Sequence, residues 1–446
     1  MTSSKPYREL LHTGLPIVLG QVGTIFVSFA DNIMVGHHST HELAAASFVN
    51  NIFALVFIFG MGFAYGLTPL VTHAYTRERY ARAGHLMLHS LLLNVLVALV
   101  VSLLMLALYL NLEHTDLPSE LIPIAKPYYL LQLLSFVLFM LFNAFKQFFD
   151  GSGRTDVGMW VVLASNGLNI FGNWLFIFGH WGLPEWGLWG AGLSTVLARL
   201  FTLLAFVYFF GRVAHFRLAF PRPIRWRLRR LYLRSLVHMG MPIGLYAGVE
   251  AGAFTIALLF VTKLGVIPLA VHQILCVVTT IGYFVYYGLG AATTILVSRS
   301  RARGDLVGAR LAVRVGIEVS FGVALNAMLL MWLGRHQIGY IFGSDPALAE
   351  MVAVGLIPVI LYQIGDALQV IYANALRGMQ DVLFLAIAAT AVHMGLEPLL
   401  NYVFGFRLGL TDPALQLTAI WSAYPIGLLT LGLLLRYRFR KITFIK

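Results

Sequence analysis

The sequence predicts an all-α integral membrane protein: twelve transmembrane helices in two pseudo-symmetric six-helix bundles. Three observations lead there: an apolar composition, twelve long apolar runs, and a second half that repeats the first. Of the 446 residues, 59% are hydrophobic and only 11% are Asp, Glu, Lys or Arg. Soluble domains carry roughly 25% charged residues, so composition alone points to the membrane. A formal net charge of +12 would suggest a nucleic-acid partner in a soluble protein. Here the positive residues flank apolar runs, which is how membrane topology is encoded, and no nucleic-acid binding is expected.

The runs follow in order. The first set covers residues 11–35, 47–75, 86–110, 122–149, 157–179 and 187–211; the second covers 236–262, 268–298, 311–334, 347–376, 382–405 and 415–435. Most reach the ~20 residues that a membrane-crossing helix needs. On one side the connections are basic: the N-terminus with Lys5 and Arg8, TRERYARAGH, DGSGRTD, a linker at 212–235, RSRARGD, RGMQD and the tail RYRFRKITFIK. The linker holds eight arginines, at 212, 217, 222, 225, 227, 229, 230 and 234. The opposite connections, NLEHTDLPSE, LPEWG and GSDPALAE, have few Lys or Arg. All seven basic connections agree, so the positive-inside rule puts both termini and the linker in the cytoplasm; the expected location is the inner (plasma) membrane, multi-pass. No cleavable leader is expected, because the first run lacks a small-residue cleavage site. The single cysteine, Cys276, excludes an intrachain disulfide.

The halves match at a shift near 226. Pro16 pairs with Pro242, Ala83 with Ala309, Asp156 with Asp381, and Gly179 with Gly405. The expected organisation is therefore a lobe at 1–211, the linker at 212–235 and a lobe at 236–446. Six spans per repeat return the chain to the same side, so the repeats are parallel and related by an axis along the membrane normal. A cavity between the lobes and rocking of one against the other are expected from that arrangement.

Three acids lie inside apolar runs: Asp31, Glu250 and Asp366. A charge at mid-helix costs about 2.5–3.5 kcal/mol on insertion scales, and such residues mark ion or substrate pathways. Asn169 and Asn173 are spaced i, i+4 and share a face of the fifth span; Tyr362 lies one turn before Asp366. At a shift of 228, Glu397 and Asn401 of EPLLN overlay Asn169 and Asn173. Glu397 is open to two readings, a further cavity acid or a partner for backbone freed by Pro398. Arg199 and Glu318 read as peripheral or paired, and Lys146 as snorkelling to an interface. The HHSTH run (His37, His38, His41) sits in an expected external loop and is a weak metal motif. With no phosphate loop, nucleophile elbow or paired His/Asp motif, neither an enzyme nor an ATP-driven pump is expected.

Six motifs in order are specific enough to carry a resemblance: FADNIMVG, LNIFGNWLFIFG, WGAGLST, GMPIGLYAGVE, AVHQI and YQIGDALQVIYANALRG. Over essentially its whole length the chain resembles the multidrug and toxic compound extrusion (MATE) family, in its NorM-like branch. The resemblance implies two six-helix bundles around a cavity and export of organic cations in exchange for Na⁺ or H⁺, with no cofactor. It implies that Glu250 and Asp366 bind the coupling cation, with Tyr362 beside it. It implies a second protonation or Na⁺ site at Asp31, Asn169 and Asn173, to which Thr195 offers a hydroxyl. Carboxylate, amide and hydroxyl oxygens are the hard ligands such a cation prefers. A drug cation would compete for the acids Glu250, Asp366 and Asp31, and that competition is antiport. Gln273 matches a cavity-lining glutamine. Asp345 matches an external acid against cationic drugs, or else caps the helix that opens at Pro346. A structural, hydrogen-bonded role is the alternative for each of these residues. Organic cations and membrane lipid are the expected partners, and a monomer is the expected state. The alternative function is a flippase of lipid-linked precursors. Phosphate-bearing cargo calls for a cavity rich in Arg or Lys, whereas the mid-span ionisable groups here are mostly acids.

Overall fold

The computed structural model describes residues 5–115, 117–212 and 228–444. Arg217, Arg222, Arg225 and Arg227 of the basic linker therefore lie outside the described residues. Within them, twelve helices are long and apolar enough to cross a membrane: α1 Lys5–His38, α2 Thr40–Thr76, α3 Tyr80–Leu110, α4 Ile122–Ser152, α5 Thr155–Ile177, α6 Gly187–Arg212, α7 Arg230–Leu264, α8 Val266–Arg303, α9 Leu306–Phe342, α10 Pro346–Gly378, α11 Val382–Phe406 and α12 Pro413–Phe444. No strand occurs among the described residues. The helices overrun the apolar segments. α8 has 38 residues, about 57 Å of helix against a hydrocarbon layer of about 30 Å. The apolar run marks what sits in lipid, while the helix continues through Arg299, Arg301 and Arg303, because Arg is a good helix former once water is available.

The contacts sort the helices into two compact units, Leu19–Gly244 and Met1–Val18 with Leu245–Lys446. The boundary thus falls inside α1 and α7, three residues past Pro16 and Pro242. Within the second unit, the start of α1 is held by a Tyr7 hydroxyl that donates to Glu318, by a Glu9–Arg299 pair at 3.5 Å, and by Gly14 against Ala292. Within the first, the start of α7 runs along α2: a Cβ on Gly240 would lie 2.7 Å from the Phe63 carbonyl oxygen, and one on Gly66 would lie 2.7 Å from the Gly240 nitrogen. Glycine is required there because the two backbones touch.

Each unit has the same internal plan. In the first, α4 packs against α2, α3 and α6; in the second, α10 packs against α8, α9 and α12. These central helices carry the most buried spans of their units, 50% and 56%. The match extends to single hydrogen bonds. Thr68 Oγ1 donates to Gln147 Oε1 at 2.7 Å, and Thr294 Oγ1 donates to Asn374 Oδ1 at 3.0 Å. Outward faces carry exposed Phe26, Leu103, Leu104, Leu330 and Leu333, the inverse of a soluble surface.

Two expectations change. HHSTH is not a loop: α1 stays helical through His38, and Ser39 alone separates it from α2 while accepting from the Glu42 amide. His38 Nδ1 lies 2.8 Å from Glu42 Oε2, and among the described residues no group of three or more His, Cys, Asp and Glu is placed to hold a metal ion. α11 is not a plain helix: Ala391–Leu396 forms a π-helical turn. Such turns occur mostly as single insertions, frequently at functional sites.

Candidate functional site

In the unit Leu19–Gly244, Asp31, Asn169 and Thr195 line one cavity of about 220 Å³. Asn173 donates from Nδ2 to Asp31 Oδ1. Asn169 donates to Thr195 Oγ1 at 3.3 Å and to Ser194 Oγ at 3.5 Å. The i, i+4 spacing on α5 thus turns both amides toward α1 and α6. The side-chain oxygens of both Asn169 and Asn173 are buried without a hydrogen-bond donor. The arrangement offers a carboxylate, two amide oxygens and a hydroxyl, the oxygen set that the sequence brought together for a hard cation.

The same cavity holds two cations. Arg199, expected to be peripheral or paired, is not peripheral: it lines the cavity with Asp31 in coulombic reach, lies 4.4 Å over the Phe57 ring and donates to Ser135 Oγ at 2.7 Å. Lys146 does not snorkel: it lines the cavity and pairs at 2.8 Å with buried Asp150. Spacing carried a signal for both. Thr195, Arg199 and Thr202 fall on one stripe of α6, and Lys146 and Asp150 are an i, i+4 pair. The four charges balance, Lys146 with Asp150 and Arg199 with Asp31 in coulombic reach.

In the other unit, Glu250 on α7 accepts at Oε1 from Gln369 Nε2 at 2.6 Å and from the Tyr246 hydroxyl at 3.4 Å. Tyr246 also donates to Gln369 Oε1 at 3.0 Å. This net ties α7 to α10. Asp366 lies on α10, fully buried and in coulombic reach of Glu250. Both Asp366 oxygens lack a hydrogen-bond donor. Tyr362, one turn earlier, is buried in the apolar core of this unit. A buried anion without a donor costs several kcal/mol and is relieved by a bound cation.

The remaining candidates sit apart. Gln273 is exposed on α8, and among the described residues no hydrogen bond joins it to Glu250 or Asp366. Asp345 accepts from the Ala347 amide at 2.9 Å with Pro346 at the first helical position, which is a helix cap. Glu397 is fully buried, and its partner His393 escaped the sequence reading. The H-x-x-x-E spacing was the available signal.

A family model described as MatE matches residues 16–175 and 242–403, one match in each half. A multidrug resistance protein MdtK of Pectobacterium atrosepticum is 28% identical over 445 residues, spanning 97% of this chain and 95% of that protein. A probable multidrug resistance protein NorM of Bradyrhizobium diazoefficiens is 30% identical over 450 residues, spanning 97% and 93%. Solved structures share the fold. One, described as the outward-facing conformation of a multidrug resistance MATE family transporter of the MOP superfamily, has a TM-score of 0.88, 18% identity and coverage of 99% of this chain and 96% of that one. A MOP superfamily transporter from Pyrococcus furiosus, whose description cites a binding pocket of reverse polarity and a different function, gives 0.87 at 18% identity, covering 98% and 96%.

Proposed function

The chain belongs to the MatE family, and on that premise we propose that it is a Na⁺- or H⁺-coupled antiporter that exports organic cations and drugs by alternating access. It sits in the inner membrane with both termini cytoplasmic and makes or breaks no covalent bond. Asp366 carries this reading, because a buried carboxylate with neither oxygen bonded to a donor calls for a cation. Glu250 shares the task, with Tyr362 beside Asp366; Asp31, Asn169, Asn173 and Thr195 form the second cation site. The multidrug resistance named for the MdtK and NorM relatives supplies the cargo class. A drug cation and the coupling ion then compete for Glu250, Asp366 and Asp31, so binding of one releases the other. Gln273 and Asp345 meet the cargo at exposed positions.

Arg199 and Lys146 favour a second reading, a flippase for lipid-linked precursors, since cations in a cavity suit phosphates. Their pairing with Asp31 and Asp150 leaves no excess positive charge, which weakens it. The test is purified protein in liposomes loaded with a fluorescent organic cation, with Na⁺ and pH gradients imposed separately. Efflux under one gradient, lost in Asp31→Asn, Glu250→Gln and Asp366→Asn, is the expected result. No efflux under either gradient, together with translocation of a lipid-linked sugar, would put the flippase first.

A further inference from the structure

We propose that His393, Glu397 and Asn401, one row on α11, form a second proton-binding site in the unit Met1–Val18 with Leu245–Lys446, distinct from Asp366. His393 Nδ1 and Glu397 Oε2 lie 3.0 Å apart, and the residues are 2%, 0% and 1% exposed. Four further polar atoms of the row are buried without a partner: His393 Nε2, Glu397 Oε1 and both side-chain atoms of Asn401. A set made only to brace helices would satisfy these atoms. The neighbouring helix makes room for the carboxylate. A Cβ on Gly427 of α12 would collide with Glu397 Oε1, so glycine there leaves a slot the size of a carboxyl group.

Two more features mark the row as a site. The π-helical turn Ala391–Leu396 carries His393 and ends against Glu397, setting the imidazole and carboxylate on one face. The row is also the repeat of the other unit's candidate site, with Glu397 and Asn401 at the places of Asn169 and Asn173. Glu397 thus puts an acid where the first half has an amide.

The ligand is a proton. A nitrogen and an oxygen at 3.0 Å have the spacing of a shared hydrogen, with no room for a metal ion between them. The charged and titratable groups that face the pair are few. Glu250 comes from α7, and it in turn faces Arg377 of α10; Tyr362 comes from α10 and Tyr424 from α12. Glu250 is in coulombic reach of both His393 and Glu397. A proton taken up by the pair therefore makes the surroundings of Glu250 one charge less negative and weakens its hold on a cation. This last link rests on the antiport reading above; proton binding by the pair does not.

Acid-minus-base infrared difference spectra of the purified full chain test the site directly. Glu397→Gln is expected to lose one protonated-carboxyl component that the wild type shows. His393→Gln is expected to keep that component but move the pH at which it appears, as coupled groups do. Superimposable spectra from wild type and Glu397→Gln would overturn the proposal. Should Glu397→Gln fail to fold, His393→Gln decides alone, and an unmoved midpoint overturns it. Proton release on adding ethidium then tests the link to Glu250, with at least a twofold smaller release expected from Glu397→Gln. Spectra that change as expected, with no ethidium-driven release even from wild type, would leave the proton site standing and sink its link to Glu250 and the H⁺-coupled form of the antiport reading, while absence of efflux under both gradients in the liposome test is what sinks antiport itself.

Discussion

Asp366 and Asp150 are both buried acids, yet they stand in opposite circumstances. Asp150 has Lys146 at 2.8 Å, while Asp366 has no donor at either oxygen. Asp366→Asn should cut ion-driven efflux at least tenfold, about 1.4 kcal/mol. The thermal midpoint should hold or rise, because sites kept unsatisfied for function trade stability for activity. Thermal unfolding beside liposome efflux checks both. Lys146→Met strands Asp150 and should cost about 3–5 kcal/mol, whereas Lys146→Met with Asp150→Leu should recover most of that loss. Equal destabilisation of the single and double variants would show that the pair is not what holds this site. At this scale the polar residues inside apolar runs were the readable signal, and three of them, Asp31, Asn169 and Asn173, do meet. Lys146 was misplaced because a long cationic side chain near a helix end ordinarily snorkels to water, and for Arg199 the peripheral alternative failed while the paired one stands. Spacing grouped each with its neighbours on a helix face, but where those faces point is set by the packing of α4 on α2 and α6.

Helix ends obey a different logic from helix centres. Lipid selects the apolar centre, but backbone hydrogen bonding continues as long as good helix formers follow, so apolar runs located the spans and not their limits. Packing between helices is likewise set by close approaches that a hydrophobic pattern does not reveal. Gly240 meets the Phe63 carbonyl at a would-be Cβ distance of 2.7 Å, whereas its repeat partner Gly14 meets the Ala292 Cβ at 3.2 Å. At 2.7 Å a backbone must shift, whereas at 3.2 Å a few tenths of an ångström suffice. Gly240→Ala should therefore cost about 1–3 kcal/mol and Gly14→Ala less. Thermal unfolding of the two variants orders them, and the reverse order would mean that α7 does not depend on this contact. The π-helical turn of α11 was also beyond reach: in one dimension an inserted residue looks like one more apolar position, and only Pro398 hinted at a break.

The whole chain is one six-helix plan used twice, and most of that was written in the residue pairs at a shift near 226. The unread part is that α1 up to Val18 belongs with the second unit while the start of α7 belongs with the first, an exchange made of contacts distant in sequence. The proposed orientation rests on charge. The helix ends at Arg303 and Arg377 and the tail through Lys441 are basic, whereas the connection at residues 343–345 carries only Asp345. Where α5 gives way to α6, Trp174 stacks on His180 at 4.1 Å and Trp186 meets Trp189 at 5.0 Å, as in an aromatic belt at a membrane surface. The single cysteine makes the orientation measurable. In a Cys276→Ser background, Arg303→Cys should be shielded from a membrane-impermeant thiol reagent in intact cells and react after permeabilisation. Ser344→Cys, exposed at the opposite end of α9, should react without permeabilisation. The opposite labelling pattern would invert the topology and, with it, the direction in which the proposed exchange exports.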